Sequence, residues 1–103
     1  MEITALNKEQ ASGKTGGSSL KGYINCKYAD LISLLGQPAY GQSGDEKVNF
    51  EWVVEFEGNY FTIYDWKTYN VQYSIESLDR WNIGGKVYAA DFIEYIEKQI
   101  KNK

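Results

Sequence analysis

The chain has 103 residues, a formal net charge of −3, nine Tyr, three Trp, a single Cys and no His. That length carries one domain with one modest core, and the lack of histidine removes the usual general base, the usual nucleophile activator and the commonest metal ligand. Cys26 alone makes neither an intramolecular disulfide nor a thiolate metal cage, and an acidic balance does not suit a nonspecific nucleic-acid binder, so no metal, cofactor or nucleic acid is expected.

Residues 2–12 show no sustained period and are compatible with a short strand, a capping segment or a mobile arm; 1–17 as a whole read as a flexible N-terminal segment of a single domain spanning 1–103. Met1-Glu2-Ile3-Thr4 lacks the basic and apolar regions of a signal peptide, and no apolar run reaches membrane-spanning length, so a cytoplasmic protein without a membrane partner is expected. Ser12-Gly13-Lys14-Thr15-Gly16-Gly17-Ser18-Ser19 is rich in glycine and hydroxyls. Its Gly-Lys-Thr is not a phosphate-binding P-loop, because the first glycine of that motif would fall at Lys8 and no apolar strand precedes it. Two readings stay open: a plain linker, or a backbone nest in which Ser18 and Ser19 hold an anion and Lys21 supplies charge.

Leu20 to Cys26 alternates as a strand, with Leu20, Gly22, Ile24 and Cys26 on one side and Lys21, Tyr23 and Asn25 on the other. Asn25 is then a candidate helix cap, and Tyr28, Leu31, Ile32 and Leu35 recur at helical spacing up to Gly36 and Pro38, which predicts a helix over about 27–35. Tyr40 to Glu46 is a polar turn.

Val48 to Trp66 is the strongest signal in the chain. Val48, Phe50, Trp52, Val54 and Phe56 fall on alternate positions, and Tyr60 to Trp66 is aromatic or β-branched at every position but Asp65. With Gly58-Asn59 as a two-residue turn, Glu57 faces Tyr60, Phe56 faces Phe61 and Val54 faces Ile63, so these apolar residues share a core face with Phe50 and Trp52. The other face then carries Tyr60, Thr62, Tyr64 and Trp66 beside Glu51, Val53 and Glu55, a surface of amphipathic aromatics edged with acids. That surface either meets a ligand or partner or lies under a helix or a second subunit.

Residues 67–79 read as a long loop, with a short helical turn near Ile75 to Leu78 as one option. Arg80 to Gly85 reads as a last short strand ending in a double glycine, where another backbone or a ligand can approach. Ala89, Phe92, Ile93, Ile96 and Ile100 form the apolar stripe of a helix over about 88–100, with Asp91 near its start and Lys98, Lys101 and Lys103 at its end. The predicted fold is α+β: a small antiparallel sheet built on a central hairpin at about 48–66, with two helices packed on one side.

Taken in order, Ser18-Ser19-Leu20-Lys21-Gly22-Tyr23-Ile24, Tyr28 and Leu31 before Leu35-Gly36-Gln37-Pro38, Val48 through Glu51-Trp52, Thr62-Ile63-Tyr64-Asp65-Trp66-Lys67 and Trp81-Asn82-Ile83-Gly84-Gly85 resemble a widespread family of small bacteriophage proteins. The resemblance covers about residues 18–85; Ser18, Lys21 and Asn82 depart from it, standing where the family pattern has Thr, Gln and His, which touches ligand preference. It implies an anti-defence sponge, a homo-oligomer (dimer or tetramer) that sequesters a cyclic oligonucleotide or cyclic ADP-ribose signal of host immunity without turning it over. On that reading Tyr23, Tyr64, Trp66 and Trp81 stack on a base, Ser18, Ser19, Lys21, Lys67 and Arg80 meet phosphate, and Gly84 and Gly85 permit close approach. The alternative is an inhibitor that docks on a host defence protein through the same aromatic surface. A structural phage protein and an enzyme using Asp65 beside Lys67 rank below both, and Trp52 belongs to the core.

Overall fold

The computed structural model describes residues 3–11, 19–39, 50–65 and 80–102. Ser18, Trp66, Lys67, the glycine-serine stretch at 12–18 and the loop at 67–79 lie outside them. The described residues form strands β1 (Ile3–Leu6), β2 (Ser19–Ile24), β3 (Glu51–Phe56), β4 (Asn59–Tyr64) and β5 (Trp81–Gly85), with α1 (Lys8–Ala11), α2 (Tyr28–Leu35) and α3 (Ala90–Lys101). One antiparallel sheet runs in the order β1-β3-β4-β5-β2, so the fold is α+β around a central β3–β4 hairpin.

The hairpin corrects the predicted turn. Glu57 and Gly58, with φ of 52° and 82°, occupy it in place of Gly58 and Asn59. Positive φ at both central residues is the type I′ turn, whose twist suits the flanking strands and which favours Gly in second place. The pairs become Phe56 with Asn59, Val54 with Phe61, Trp52 with Ile63 and Glu51 with Tyr64. Every partner has moved by two residues, and two is the side-chain period of a strand, so the two faces keep their predicted membership.

Under the helices lie Ile24, Trp52, Val54, Phe56, Phe61, Ile63, Trp81 and Ile83, packed with Leu31 of α2 and Phe92 and Ile96 of α3. Rings fill this space in two groups. Trp52 and Trp81 meet edge to face at 5.4 Å with Tyr28 against both, and Phe61 stacks on Phe92 at 4.4 Å beside Phe56. The Trp52 indole N–H donates to the Gly36 carbonyl at 2.9 Å, tying the sheet to the end of α2, where Gly36 adopts a φ of 82°.

At the N-terminus, Ile3–Leu6 pairs with β3 as an edge strand, too short to announce a period. Asn7 and Gln10 then cap α1 reciprocally: the Gln10 N–H donates to Asn7 Oδ1 at 2.8 Å and the Asn7 N–H to Gln10 Oε1 at 2.9 Å. The cap of α2 is Lys27, not Asn25, and the Asp30 carboxylate accepts from the Lys27 N–H at 3.0 Å. Cys26, buried, comes between the strand and that cap.

Two measurements check this packing. Glu57→Asn, which places Asn-Gly in the turn, is expected to stabilise the protein by about 1 kcal/mol in urea denaturation, because Asn tolerates positive φ better than Glu. Trp81 Nε1 is buried with no acceptor among the described residues, whereas Trp52 Nε1 has one. Trp81→Phe is therefore expected to cost about 1 to 3 kcal/mol less than Trp52→Phe, since it also removes an unmet donor.

Candidate functional site

The face opposite α2 and α3 is built by cross-strand register. Glu51 of β3 stands opposite Tyr64 of β4, Tyr64 opposite Asn82 of β5, and Asn82 opposite Tyr23 of β2. Directly opposed residues in an antiparallel sheet have Cβ atoms about 4.5 to 5.5 Å apart, so these four side chains form one continuous row. The neighbouring row is Val53, Thr62, Gly84 and Leu20.

Exposure divides this face. Val53 and Thr62 are 0% and 3% exposed, Glu51, Tyr64 and Asn82 are half-buried, and Leu20 and Tyr23 are 49% and 47% exposed. The face is thus closed in its middle and open toward β2. Arg80, exposed, places its guanidinium carbon 4.7 Å from the centroid of the Tyr23 ring, a cation–π arrangement. A β-bulge between Leu20 and Gly22 leaves Lys21 as the extra residue, and the Lys21 ammonium donates to the Ser19 hydroxyl at 3.0 Å. The bulge also corrects the predicted alternation: Leu20 aligns with Gly84, in the row of Val53 and Thr62, while Gly22 stays on the helix side, where a Cβ would come 2.7 Å from Ile93 Cδ1.

Of the predicted site residues, Tyr23, Tyr64 and Arg80 gather on this face, joined by Asn82 and Glu51, whereas Ser19 aligns with Gly85 and through it with Phe61 on the helix side, and the Lys21 ammonium lies at the Ser19 hydroxyl. Trp81 does not join them. It is 0% exposed and packed between Tyr28 and Trp52, with no ring face left for a ligand. Its period-two relation to Ile83 was the available signal. The double glycine serves the protein's own packing: a Cβ on Gly84 would lie 2.6 Å from Thr62 Oγ1, and one on Gly85 would lie 2.8 Å from Phe61 Cδ1. Asp65 is also structural, 2% exposed, with Oδ1 accepting from the Phe50 N–H at 2.8 Å.

Burial pushes the Glu51 carboxyl above its ordinary value. Tyr64 is raised too, first by burial, then by the negative charge of Glu51 and by Tyr23. No group of three or more His, Cys, Asp or Glu residues suited to a metal ion occurs among the described residues, and none of their helices is long and apolar enough to cross a membrane.

The raised Glu51 has a testable sign. Its folded pKa lies above the ordinary value of 4.5, so the folded protein binds that proton more tightly than the unfolded chain does, and the stability that the proton confers is lost as pH rises through the folded pKa. Glu51→Gln is expected to raise the urea midpoint near pH 7, and the gain should shrink to nothing near pH 4; a gain equal at both pH values would refute this assignment.

No protein-family model, no curated protein and no solved structure matches this chain, so the reading of its function rests on this face and on the residues that build it.

Proposed function

We propose that this chain is a non-catalytic binding protein that sequesters a small phosphorylated nucleotide, of the cyclic oligonucleotide or cyclic ADP-ribose type, as the phage resemblance implies. The observation that carries the reading is the polarity of the row. It begins at the half-buried carboxylate of Glu51, passes the rings of Tyr64 and Tyr23 with the Asn82 amide between them, and ends beside the cation of Arg80. A nucleotide has the same succession: a base edge that hydrogen-bonds, a flat face that stacks, and an anionic phosphate. The groups on this row suit stacking, hydrogen bonding and charge pairing, which is what sequestration needs.

A second observation favours the alternative of a host defence protein as partner. Val87 and Tyr88, directly after β5, are 40% and 87% exposed, and Leu20 and Tyr23 of β2 are exposed as well, large apolar side chains of the kind that anchor a protein partner. Self-association into a dimer or tetramer is compatible with either reading.

Isothermal titration against cyclic di- and trinucleotides and cyclic ADP-ribose isomers separates the two. Binding is expected, weakened about 10-fold or more by Tyr23→Ala or Arg80→Ala and little changed by Tyr88→Ala, because a base stacked on an aromatic ring contributes about 1 to 3 kcal/mol. Silence across the panel at micromolar protein overturns the nucleotide reading, and loss of a host-protein pulldown on Tyr88→Ala would establish the other.

A further inference from the structure

We infer that the base this site accepts is guanine, and that Glu51 is the residue that selects it; the inference rests on the nucleotide reading above. Glu51 is half-buried and directly opposite Tyr64, yet its carboxylate has neither a hydrogen bond nor an ion pair with any described residue. Its charge acts on Tyr64, opposing the ionisation of that phenol. Burial with no compensating cation is what raises its pKa. An ionised carboxylate is purely an acceptor, with two oxygens side by side, and a desolvated acceptor without a donor is unfavourable. The position is therefore complementary to a ligand that brings two parallel N–H groups.

Among the bases only guanine does so on the edge remote from its sugar, where N1–H and the N2 amino group lie side by side. Adenine offers one amino group beside a ring nitrogen whose lone pair would face the carboxylate, and cytosine does the same. Uracil places a single N–H between two carbonyl oxygens. The direction also fits. The Watson–Crick edge points away from the glycosidic bond, so a guanine lying on Tyr64 with that edge at Glu51 sends its sugar and phosphate along the row toward Tyr23 and Arg80. Asn82 carries both a donor and an acceptor, so it meets whichever polar group of the ligand lies over β5 and does not discriminate by itself.

Cyclic di-GMP, cyclic di-AMP and cyclic di-IMP, titrated calorimetrically into the full chain near pH 7.5, test the assignment. Cyclic di-GMP is expected to bind about 10-fold or more tighter than cyclic di-AMP, the discrimination that one bidentate contact gives, with cyclic di-IMP between them because inosine lacks the N2 amino group. Glu51→Gln should level the guanine and adenine affinities, and Glu51→Asp should keep the order with a smaller ratio. Equal affinities, or a preference for adenine, in the unaltered protein would overturn the guanine assignment and leave the nucleotide reading standing, as would an undiminished preference in Glu51→Gln. Absence of binding by these three and by the wider nucleotide panel would overturn both.

Discussion

The structure depends on parity. Each strand has to place its bulky residues on the side where α2 and α3 lie, and because side chains alternate, the choice made at one position is made for the whole strand. Trp52, Val54 and Phe56 of β3, Phe61 and Ile63 of β4, Trp81 and Ile83 of β5 and Ile24 of β2 all satisfy it. A slip of one residue in β4 would turn Phe61 and Ile63 to the other face and bring Tyr60, Thr62 and Tyr64 under the helices. Burying a large apolar side chain is worth about 1.5 to 3 kcal/mol, so such a slip costs a large part of the stability of a small domain. A slip of two is nearly free by this criterion, and there the turn decides: Glu57-Gly58 adopts the twist that the strands require.

That distinction explains what could be read from the residues and what could not. The helix face, the order of elements from β2 onward, the α2 stop at Gly36 and the stripe of α3 follow from period and composition, which are properties of the chain itself. Pairing is a property of two segments and a turn. In the predicted register Tyr64 faces Val53 and Glu51 faces Trp66; in the structure Glu51 faces Tyr64. The difference leaves the core unchanged and alters the chemistry of the opposite face, because it sets a carboxylate beside a phenol. The bulge at Lys21 is hidden for a related reason: Leu20, Gly22 and Ile24 alternate cleanly, and an extra residue shows only where β2 meets β5. Trp81 was legible and was given the wrong weight. Its separation of two from Ile83 places it in the core, whatever the glycines that follow suggest.

The glycines illustrate how a functional signature and a packing requirement come to look alike. Gly22, Gly84 and Gly85 are each met within 3 Å of a would-be Cβ by Ile93, Thr62 and Phe61 respectively, so all three let the protein's own layers close up. A strand that must lie between a helix and a densely substituted neighbour has little room for side chains, and a glycine there says nothing about a ligand. What remains for recognition is the margin where exposure returns: Tyr23 and Leu20 on β2, Arg80 at the start of β5, and the chain after Gly85. In a chain of net charge −3 this margin carries Arg80 over the Tyr23 ring, which gives the row a positive end.

Two carboxylates at the open end of the hairpin show how a structural acid is told from an available one. Asp65 and Glu51 sit one position apart across β3 and β4, both withdrawn from water. Asp65 is nearly inaccessible, and it spends Oδ1 on the Phe50 N–H, while its own N–H meets the Phe50 carbonyl at 3.4 Å, so the acid holds the two strands together where regular pairing ends. Charge-assisted bonds to backbone amides are among the stronger polar contacts, and such an acid has its use within the fold. Glu51 has the burial without a described donor, and its neighbour Tyr64 is disturbed by its charge. Asp65, with its short stem, reaches the backbone close at hand, whereas the Glu51 carboxylate, one methylene longer and on the opposite face of the sheet, makes no such bond to a described residue. The carboxylate that the fold does not satisfy is the one that an incoming donor can.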